Sequence, residues 1–169
     1  MLTETVETLV RALELVPHPE GGFYKETYRA RATIPKAVLG DRFGGDRAVC
    51  TAIYYLLRVG DVSAFHRIES DEIWHFYGGA SLTVHCLHAD GSHRAIRLGD
   101  DFERGEIPQA VVPAGTIFGA RIEGDGEYTL VGCTVSPGFD FAEFSLVDRV
   151  SLLASHPEQA NLIEDLTRG

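Results

Sequence analysis

Hydrophobic residues recur at helical spacing at both ends of the chain. Near the start, Val6, Leu9 and Leu13 fall on one stripe of a helix. Pro17 then marks the point by which this helix has to end. Near the other end, SLVDRVSLLA and PEQANLIEDL show the same periodicity. The pattern predicts short amphipathic helices that pack on something larger between them.

The long middle of the chain has a different pattern. From Gly21 onward, short runs rich in aromatic and β-branched residues are bounded by Gly, Pro or Asp, as strands are. The runs are GGFYKETYRA, AVCTAIYYLLRV, DEIWHFY, SLTVHCLH, HRAIRLG, TIFGARIE and EYTLVGCTV. Turn signals such as HADGS, PAGT and EGDGE separate them. Many short strands with Gly-rich turns predict an all-β sandwich or barrel.

Composition narrows the class of protein. The length of 169 residues predicts one domain that spans residues 1–169. A formal net charge of −10 argues against nucleic acid as a partner, because phosphate backbones are bound through Lys and Arg. The longest apolar run, AIYYLL, is far too short for a membrane helix. Three scattered cysteines and an acidic start without signal-peptide character favour a cytoplasmic protein with reduced thiols.

The stretch FHRIESDEIWHFYGG concentrates residues that can carry chemistry. Histidine is suited to proton transfer near neutral pH, so His66 is the predicted general base. A glutamate inside an apolar barrel needs a partner, and the simplest partner for Glu72 is His66. We therefore predict these two residues as the catalytic pair. The alternatives are a structural histidine and a surface carboxylate.

Alternation along the predicted strands suggests which other side chains reach the cavity. If Glu72 faces inward, Trp74 and Phe76 face inward with it, and His75 faces away. His85 could line the cavity or face solvent, and the sequence leaves this open. The predicted ligand-binding residues are Tyr24, Glu26, Trp74, Phe76, Gln109, Phe118 and Tyr128. For the aromatic members, an ordinary core position is the competing interpretation.

Two segments resemble the conserved motifs of the cupins. Gly60, His66, Glu72 and Gly78 resemble the first motif, G-x5-H-x-H-x3–4-E-x6-G, with Gly78 one residue short of the last spacing. The segment VPAGTIFGARI is similar to the second motif, but Phe118 stands in place of its histidine. Ile68 and Phe118 thus occupy two positions that usually supply metal ligands. Since two remaining ligands are too few for the usual site, we predict no cofactor and no bound metal.

The resemblance extends over nearly the whole chain. PHPEGGFYKETYRA, FHRIESDEIWHFYGG, PQAVVPAGT and LVGCTVSPGFDFAEF together resemble a family of small bacterial and eukaryotic cupins of unknown function, within the RmlC-like cupin superfamily. This resemblance implies a double-stranded β-helix, or jelly-roll barrel, with short N- and C-terminal helices. It also implies a homodimer built by strand exchange, in which we expect GGFYKETYRA to cross to the partner.

A looser resemblance concerns the reaction. GGFYKE and PAGTIFGA are similar to segments of the sugar-nucleotide 3,5-epimerases, which are metal-independent cupins. Their catalytic histidine lies near where His66 falls, and Tyr128 is a candidate for their tyrosine acid by position alone. The first hypothesis is therefore a cupin that binds a polar, sugar-like metabolite and runs epimerase-like acid/base chemistry. The alternatives are a metal enzyme that adds another histidine to His66 and Glu72, and a non-catalytic ligand sensor.

Overall fold

The computed structural model describes residues 3–168, and Leu2, which could extend the first helical stripe, lies outside them. The helices are α1 (Glu4–Ala12), α2 (Lys36–Leu39), α3 (Arg149–Ser155) and α4 (Ala160–Asp165), with short 3-10 turns at Phe102–Arg104, Phe141–Glu143 and Pro157–Gln159. The strands are β1 (Val16–Pro17), β2 (Phe23–Arg29), β3 (Thr33–Ile34), β4 (Arg47–Ala48), β5 (Thr51–Arg58), β6 (Val62–Arg67), β7 (Asp71–Gly79), β8 (Leu82–Leu87), β9 (His93–Leu98), β10 (Gln109–Val112), β11 (Ile117–Ile122), β12 (Tyr128–Ser136) and β13 (Ser145–Leu146).

Two antiparallel sheets face each other and enclose the main core. The larger sheet has the order β1-β2-β5-β12-β7-β10, and the smaller has the order β13-β6-β11-β8-β9. Alternate residues of each strand point between the sheets, so Trp74 and Val131 of the larger sheet meet Val84 and Phe118 of the smaller one. This arrangement confirms the predicted all-β jelly roll.

The helices cover the outer faces of the two sheets. Helix α1 packs Val6 against Leu56 on the larger sheet. Its first turn is capped by Thr3, whose hydroxyl accepts a hydrogen bond from the Val6 amide. Helices α3 and α4 bury Leu152 and Ile163 against the smaller sheet. Among the described residues, every helix is too short or too polar to cross a membrane.

Irregularities in strand pairing change which side chains face the cavity. In β6, the pairing with β11 skips between Phe118 and Ala120, so Ser63 and His66 both point inward although they are three residues apart. Gly119 permits this bulge, because a Cβ there would lie 2.8 Å from the Ser63 carbonyl oxygen. Simple alternation would have placed Ser63 and His66 on opposite faces.

A second bulge lies in β2, between Glu26 and Tyr28. It keeps Glu26 and Arg29 on the inner face, and it turns Tyr28 outward, where its side chain is 56% exposed. Strict alternation along β2 would have placed Tyr28 on the same face as Tyr24 and Glu26, and the bulge prevents this. Strand β2 pairs with β5 within the chain.

Candidate functional site

A cavity of about 250 Å³ opens between the two sheets at the end where β2, β5, β6, β7 and β12 meet. It is enclosed by three kinds of side chain: carboxyl groups, two histidines, and a wall of apolar and aromatic groups. The lining residues are His18, Glu20, Tyr24, Glu26, Arg29, Thr51, Ile53, His66, Ile68, Glu72, Cys133, Val135, Phe139, Asp140 and Phe141. Four of the nine predicted site residues, His66, Glu72, Tyr24 and Glu26, are therefore brought together.

The imidazole of His66 is held between a backbone carbonyl and a carboxylate. Its Nδ1 lies 2.7 Å from the carbonyl oxygen of Ala64, which fixes this nitrogen as the donor. Its Nε2 lies 3.3 Å from Oε2 of Glu20. The ring is 3% exposed and packs against Phe118, with the ring centroids 4.1 Å apart. The tautomer and the orientation of His66 are thus both set by its surroundings.

The carboxylate partner of His66 is fixed in turn. Glu20 accepts a hydrogen bond at Oε1 from the hydroxyl of Ser63, 2.9 Å away, and its backbone carbonyl accepts one from the Ala64 amide. Gly21, with φ of +126°, lets this segment press against β6, because a Cβ there would overlap the Val62 carbonyl. The close packing of the PHPEGG turn on β6 therefore places Glu20 beside His66.

Two further side chains surround Glu20. Tyr55 donates a hydrogen bond to the Gly21 carbonyl over 2.9 Å, and burial, together with the charge of Glu20, raises its pKa well above the usual range. His18 accepts a hydrogen bond at Nδ1 from the Glu20 amide. Burial lowers the pKa of His18, so the ring stays neutral at neutral pH. Its edge packs on Tyr24, with ring centroids 4.5 Å apart.

Glu72 is in the cavity, but it is not the partner of His66 that the sequence predicts. Burial, with the nearby charge of Glu20 as a second cause, raises the pKa of Glu72 to about 8, so the group is a protonated acid at neutral pH. Its polar neighbour is the thiol of Cys133, whose own pKa is raised by burial. The prediction differs because the turn carrying Glu20 reaches His66 from a distant part of the chain.

The mouth of the cavity is built around an ion pair. Arg29 donates to both carboxylate oxygens of Glu26, at 2.9 and 2.7 Å, and to the carbonyl of Phe139 at 3.1 Å. The segment that carries Phe139 and Phe141 leads into Glu143, which forms a buried ion pair with Arg47. This ion pair anchors the segment to the rest of the barrel. Phe141 remains 49% exposed at the edge of the cavity. The mouth thus combines a fixed charged pair with an aromatic rim.

The other five predicted ligand-binding residues lie elsewhere. Trp74 and Phe118 are fully buried in the core between the sheets, and Phe76 packs against that core. Gln109 is on the outer face of the larger sheet, because it pairs across from His75, which also faces outward. Tyr128 packs beside helix α1 on the outer face. None of these side chains lines the cavity. Trp74, Phe76 and Phe118 pack in the core, and strand register turns Gln109 and Tyr128 to the outer face.

His75 and His85 also lie outside the cavity, which is the outward orientation that strand alternation predicts for His75. His75 is on the outer face, where Nε2 lies 3.1 Å from the Thr134 hydroxyl. His85 is on the outer face of the smaller sheet, where Nδ1 lies 3.1 Å from Nε2 of His93. Its own Nε2 lies 3.4 Å from Glu123. Neither histidine can join His66 in a shared site.

The residues present do not fit the metal that many cupins hold. Ile68 and Phe118 carry no donor atom, and Glu72 is protonated beside a thiol. Over residues 3–168 there is no group of three or more His, Cys, Asp or Glu side chains arranged to bind an ion. The cavity therefore lacks the donor set of the usual cupin metal site.

Several cavity residues were not among the predicted site residues. Glu20, Arg29 and Asp140 come from the segments PHPEGG, GGFYKETYRA and SPGFDF. The PHPEGG segment carried one available signal, since an acid before two glycines indicates a tightly packed turn. The pairing of Arg29 with Glu26 depends on a bulge that has no sequence signature here.

Comparison with known proteins gives consistent relatives. A crystal structure of a protein from Shewanella oneidensis is 40% identical, covers 96% of each chain and superposes with a TM-score of 0.86. A hypothetical protein from Leishmania major is 32% identical, covers 96% of this chain and 98% of the other, and has a TM-score of 0.87. An uncharacterized protein of Saccharomyces cerevisiae is 29% identical over 85% of this chain and 75% of its own length.

More distant structures share the fold alone. Oxalate decarboxylase from Bacillus subtilis is 13% identical, with a TM-score of 0.54 over 89% of this chain and 36% of that one. The profile of the family described as Cupin superfamily (DUF985) matches residues 7–147. This match covers most of the chain and agrees with the two-sheet barrel and the relatives above. The chain belongs to the cupin superfamily, in the family described as DUF985.

Proposed function

We propose that this cupin binds a small polar, sugar-like metabolite in its cavity and moves a proton to or from it through the pair of His66 and Glu20. The observation that carries the proposal is the 3.3 Å contact between Nε2 of His66 and Oε2 of Glu20. Because Nδ1 already donates to a carbonyl, a favourable contact at Nε2 requires one proton between the two side chains. The pair can therefore gain or lose one proton as a unit.

The surroundings suit this role. When the pair lacks its proton, an imidazole lone pair and a carboxylate oxygen lie side by side at the cavity wall. A proton taken from a carbon next to a ligand carbonyl restores the contact, and the electron pair of the broken C–H bond passes to the carbonyl oxygen. Glu72, which is protonated, is an O–H donor in the same cavity and could bond that oxygen.

Deuterium exchange tests this proposal without a known substrate. The wild-type protein would be incubated in D2O with a panel of ketoses and aldoses, beginning with dihydroxyacetone, D-fructose and D-glucose. Loss of the C–H signal next to the carbonyl would be followed by NMR. We expect exchange with at least one compound, and His66→Asn should slow it about 100- to 10,000-fold.

A matched control is His156→Asn, which removes a buried histidine that lies outside the cavity. It should leave the exchange rate unchanged. If the wild type exchanges no compound faster than buffer does, the proton-transfer proposal fails and a non-catalytic binding protein is favoured. Equal loss in both histidine variants, with both folded by circular dichroism, would also contradict it, because the loss would then not depend on the histidine of the cavity.

We also propose a homodimer in solution. The outer face of the larger sheet carries apolar side chains that helix α1 leaves uncovered, including Tyr28, Tyr77 and Val111, which are 56%, 54% and 48% exposed. Exposed apolar faces of this kind are often buried against a partner. Sedimentation at micromolar concentration should give the mass of two chains, and Tyr77→Asp should shift it towards one.

A further inference from the structure

We infer that the ligand is an uncharged polyol or hydroxy-carbonyl compound the size of a monosaccharide, and that Glu26 excludes phosphorylated relatives by occupying Arg29. This inference rests on the proposed function, in which the cavity binds a small polar metabolite, and it specifies the chemical class of that metabolite. It differs from the analogy with sugar-nucleotide epimerases, whose substrates carry a diphosphate.

The first argument is size. The cavity has about 250 Å³ of space, which is near the lower end of the roughly 300–1,000 Å³ typical of small-molecule sites. A single sugar ring with its hydroxyl groups fits such a space. A nucleoside diphosphate attached to it would have to lie outside, across the rim formed by Phe139 and Phe141.

The second argument is charge. The cavity lining includes four carboxyl groups, from Glu20, Glu26, Glu72 and Asp140, and one guanidinium, from Arg29. Recognition of phosphate needs free N–H donors on cations, which usually means unpaired Arg or Lys. Three of the five N–H donors of Arg29 already bond to Glu26 and to the Phe139 carbonyl, and the Glu26 carboxylate offsets the charge of the guanidinium. An anion entering this cavity would therefore meet the carboxyl groups of Glu26 and Asp140 beside a guanidinium whose charge is already paired.

The third argument is the match of donors and acceptors. Carboxylates accept hydrogen bonds from hydroxyl groups, and Glu20 and Glu26 both line the cavity. Glu72, as an acid, can donate one to a ring or carbonyl oxygen. Tyr24 and Phe141 supply apolar surface for the C–H face of a ring. Together these groups suit a molecule rich in hydroxyl groups and without net charge.

The Glu26–Arg29 pair can be broken without unfolding the protein. Its side chains are 39% and 44% exposed, and ion pairs as open as this add little to stability. Glu26→Gln should therefore fold and release Arg29 to bind anions. Glu14→Gln is the matched control, because it removes the same charge from an exposed ion pair with Lys25 that lies outside the cavity.

The test is calorimetric binding of matched probe pairs: D-glucose against D-glucose 6-phosphate, and D-fructose against D-fructose 6-phosphate. In the wild type we expect the free sugar to bind about tenfold tighter than its phosphate, or ~1.4 kcal/mol. Glu26→Gln should raise affinity for the phosphate about tenfold, and Glu14→Gln should leave it unchanged; this gain should shrink as salt rises.

Each other outcome counts against the inference. Tighter binding of the phosphate by the wild type would overturn the ligand class, and so would the absence of binding by every probe at millimolar concentration. An equal gain in both glutamate variants would show an effect of net charge alone and remove the role of Glu26. Because binding is measured directly, the inference can hold even if the wild type shows no deuterium exchange.

Discussion

Two buried histidines lie on opposite faces of the smaller sheet, each beside a glutamate. His66 faces the cavity, with Nε2 3.3 Å from Glu20, and His85 faces the C-terminal helices, with Nε2 3.4 Å from Glu123. Their exposed fractions are 3% and 4%. By distance and burial the two pairs are nearly the same, yet their surroundings differ in every respect that matters for chemistry.

The carboxylates account for most of the difference. The side chain of Glu20 is 8% exposed and accepts a hydrogen bond from Ser63. Within residues 3–168, its ion-pair partners are His18 and His66, and neither Arg nor Lys is among them. Glu123 is 40% exposed and is paired with Arg121 at 2.9 Å. Burial, only partly offset by Glu123, lowers the pKa of His85 to about 4, so this ring is neutral across the physiological range.

Access accounts for the rest. His66 borders a cavity that can admit a ligand. His85 lies outside this cavity, is buried, and contacts His93. A histidine next to a glutamate is therefore not a proton-transfer site by geometry alone. The carboxylate must be held without a competing cation, and a ligand must be able to reach the pair.

The largest expected effect comes from removing the charge of each carboxylate in turn. Glu20→Gln removes the carboxylate charge that can share a proton with Nε2 of His66, so deuterium exchange should fall about 100-fold or more. Glu123→Gln should change it less than about threefold, because Glu123 is far from the cavity lining. The comparison would break if both variants, folded by circular dichroism, lost activity to the same degree.

The second effect concerns Glu72, which shares the cavity with Glu20 but is protonated. An unfolded glutamic acid ionises near 4.5, whereas folded Glu72 keeps its proton up to about pH 8. The folded state thus binds more protons in this window, and the free energy of unfolding falls as pH rises, by up to ~1.4 kcal/mol per pH unit from this group.

Urea unfolding of the wild type and Glu72→Gln between pH 5 and 8 measures this contribution. The variant should lack the decline, because a glutamine side chain does not ionise. Glu158→Gln, on an exposed 3-10 turn, is the control and should keep it. Parallel curves for the wild type and Glu72→Gln would show that Glu72 is ionised in the folded protein.

The sequence predicts the barrel well and the site in part, for a physical reason. Strand periodicity and cupin motif spacing place His66 and Glu72 inside, and burial there is a property of local alternation. Glu20 meets His66 across 46 positions of the chain through a glycine turn, and Ser63 points towards Glu20 because of a bulge in β6. Contacts set by bulges and loop packing leave no periodic trace in a single sequence.

The third effect concerns His85, which lies beside Glu123 on the outer face of the smaller sheet. Its effect on the pH dependence of stability has the opposite sign to that of Glu72. Unfolded histidine takes up a proton near pH 6.5, but folded His85 does so only near 4. The unfolded state binds more protons between these values, so stability should fall as pH drops through this window, by at most ~1.4 kcal/mol per pH unit. His85→Asn should flatten this acid limb in urea unfolding, while deuterium exchange stays at the wild-type rate. A loss of exchange would mean that the outer pair supports the cavity.

The smallest expected effect is the response to transition metals, which asks whether either pair is a metal site. At the cavity, Ile68 and Phe118 offer no donor, and at the outer pair the Nδ1 of His85 faces His93 while its Nε2 faces Glu123, so the three cannot surround one ion. Two ligands give weak affinity. Elemental analysis of protein purified without an affinity tag should therefore find well under one iron, manganese, nickel or zinc per chain. A stoichiometric metal would contradict this expectation, and two variants would locate it. Loss of the metal in His66→Asn would indicate a cavity site with an altered ligand set. Loss in His93→Asn would indicate a site at His85 and His93.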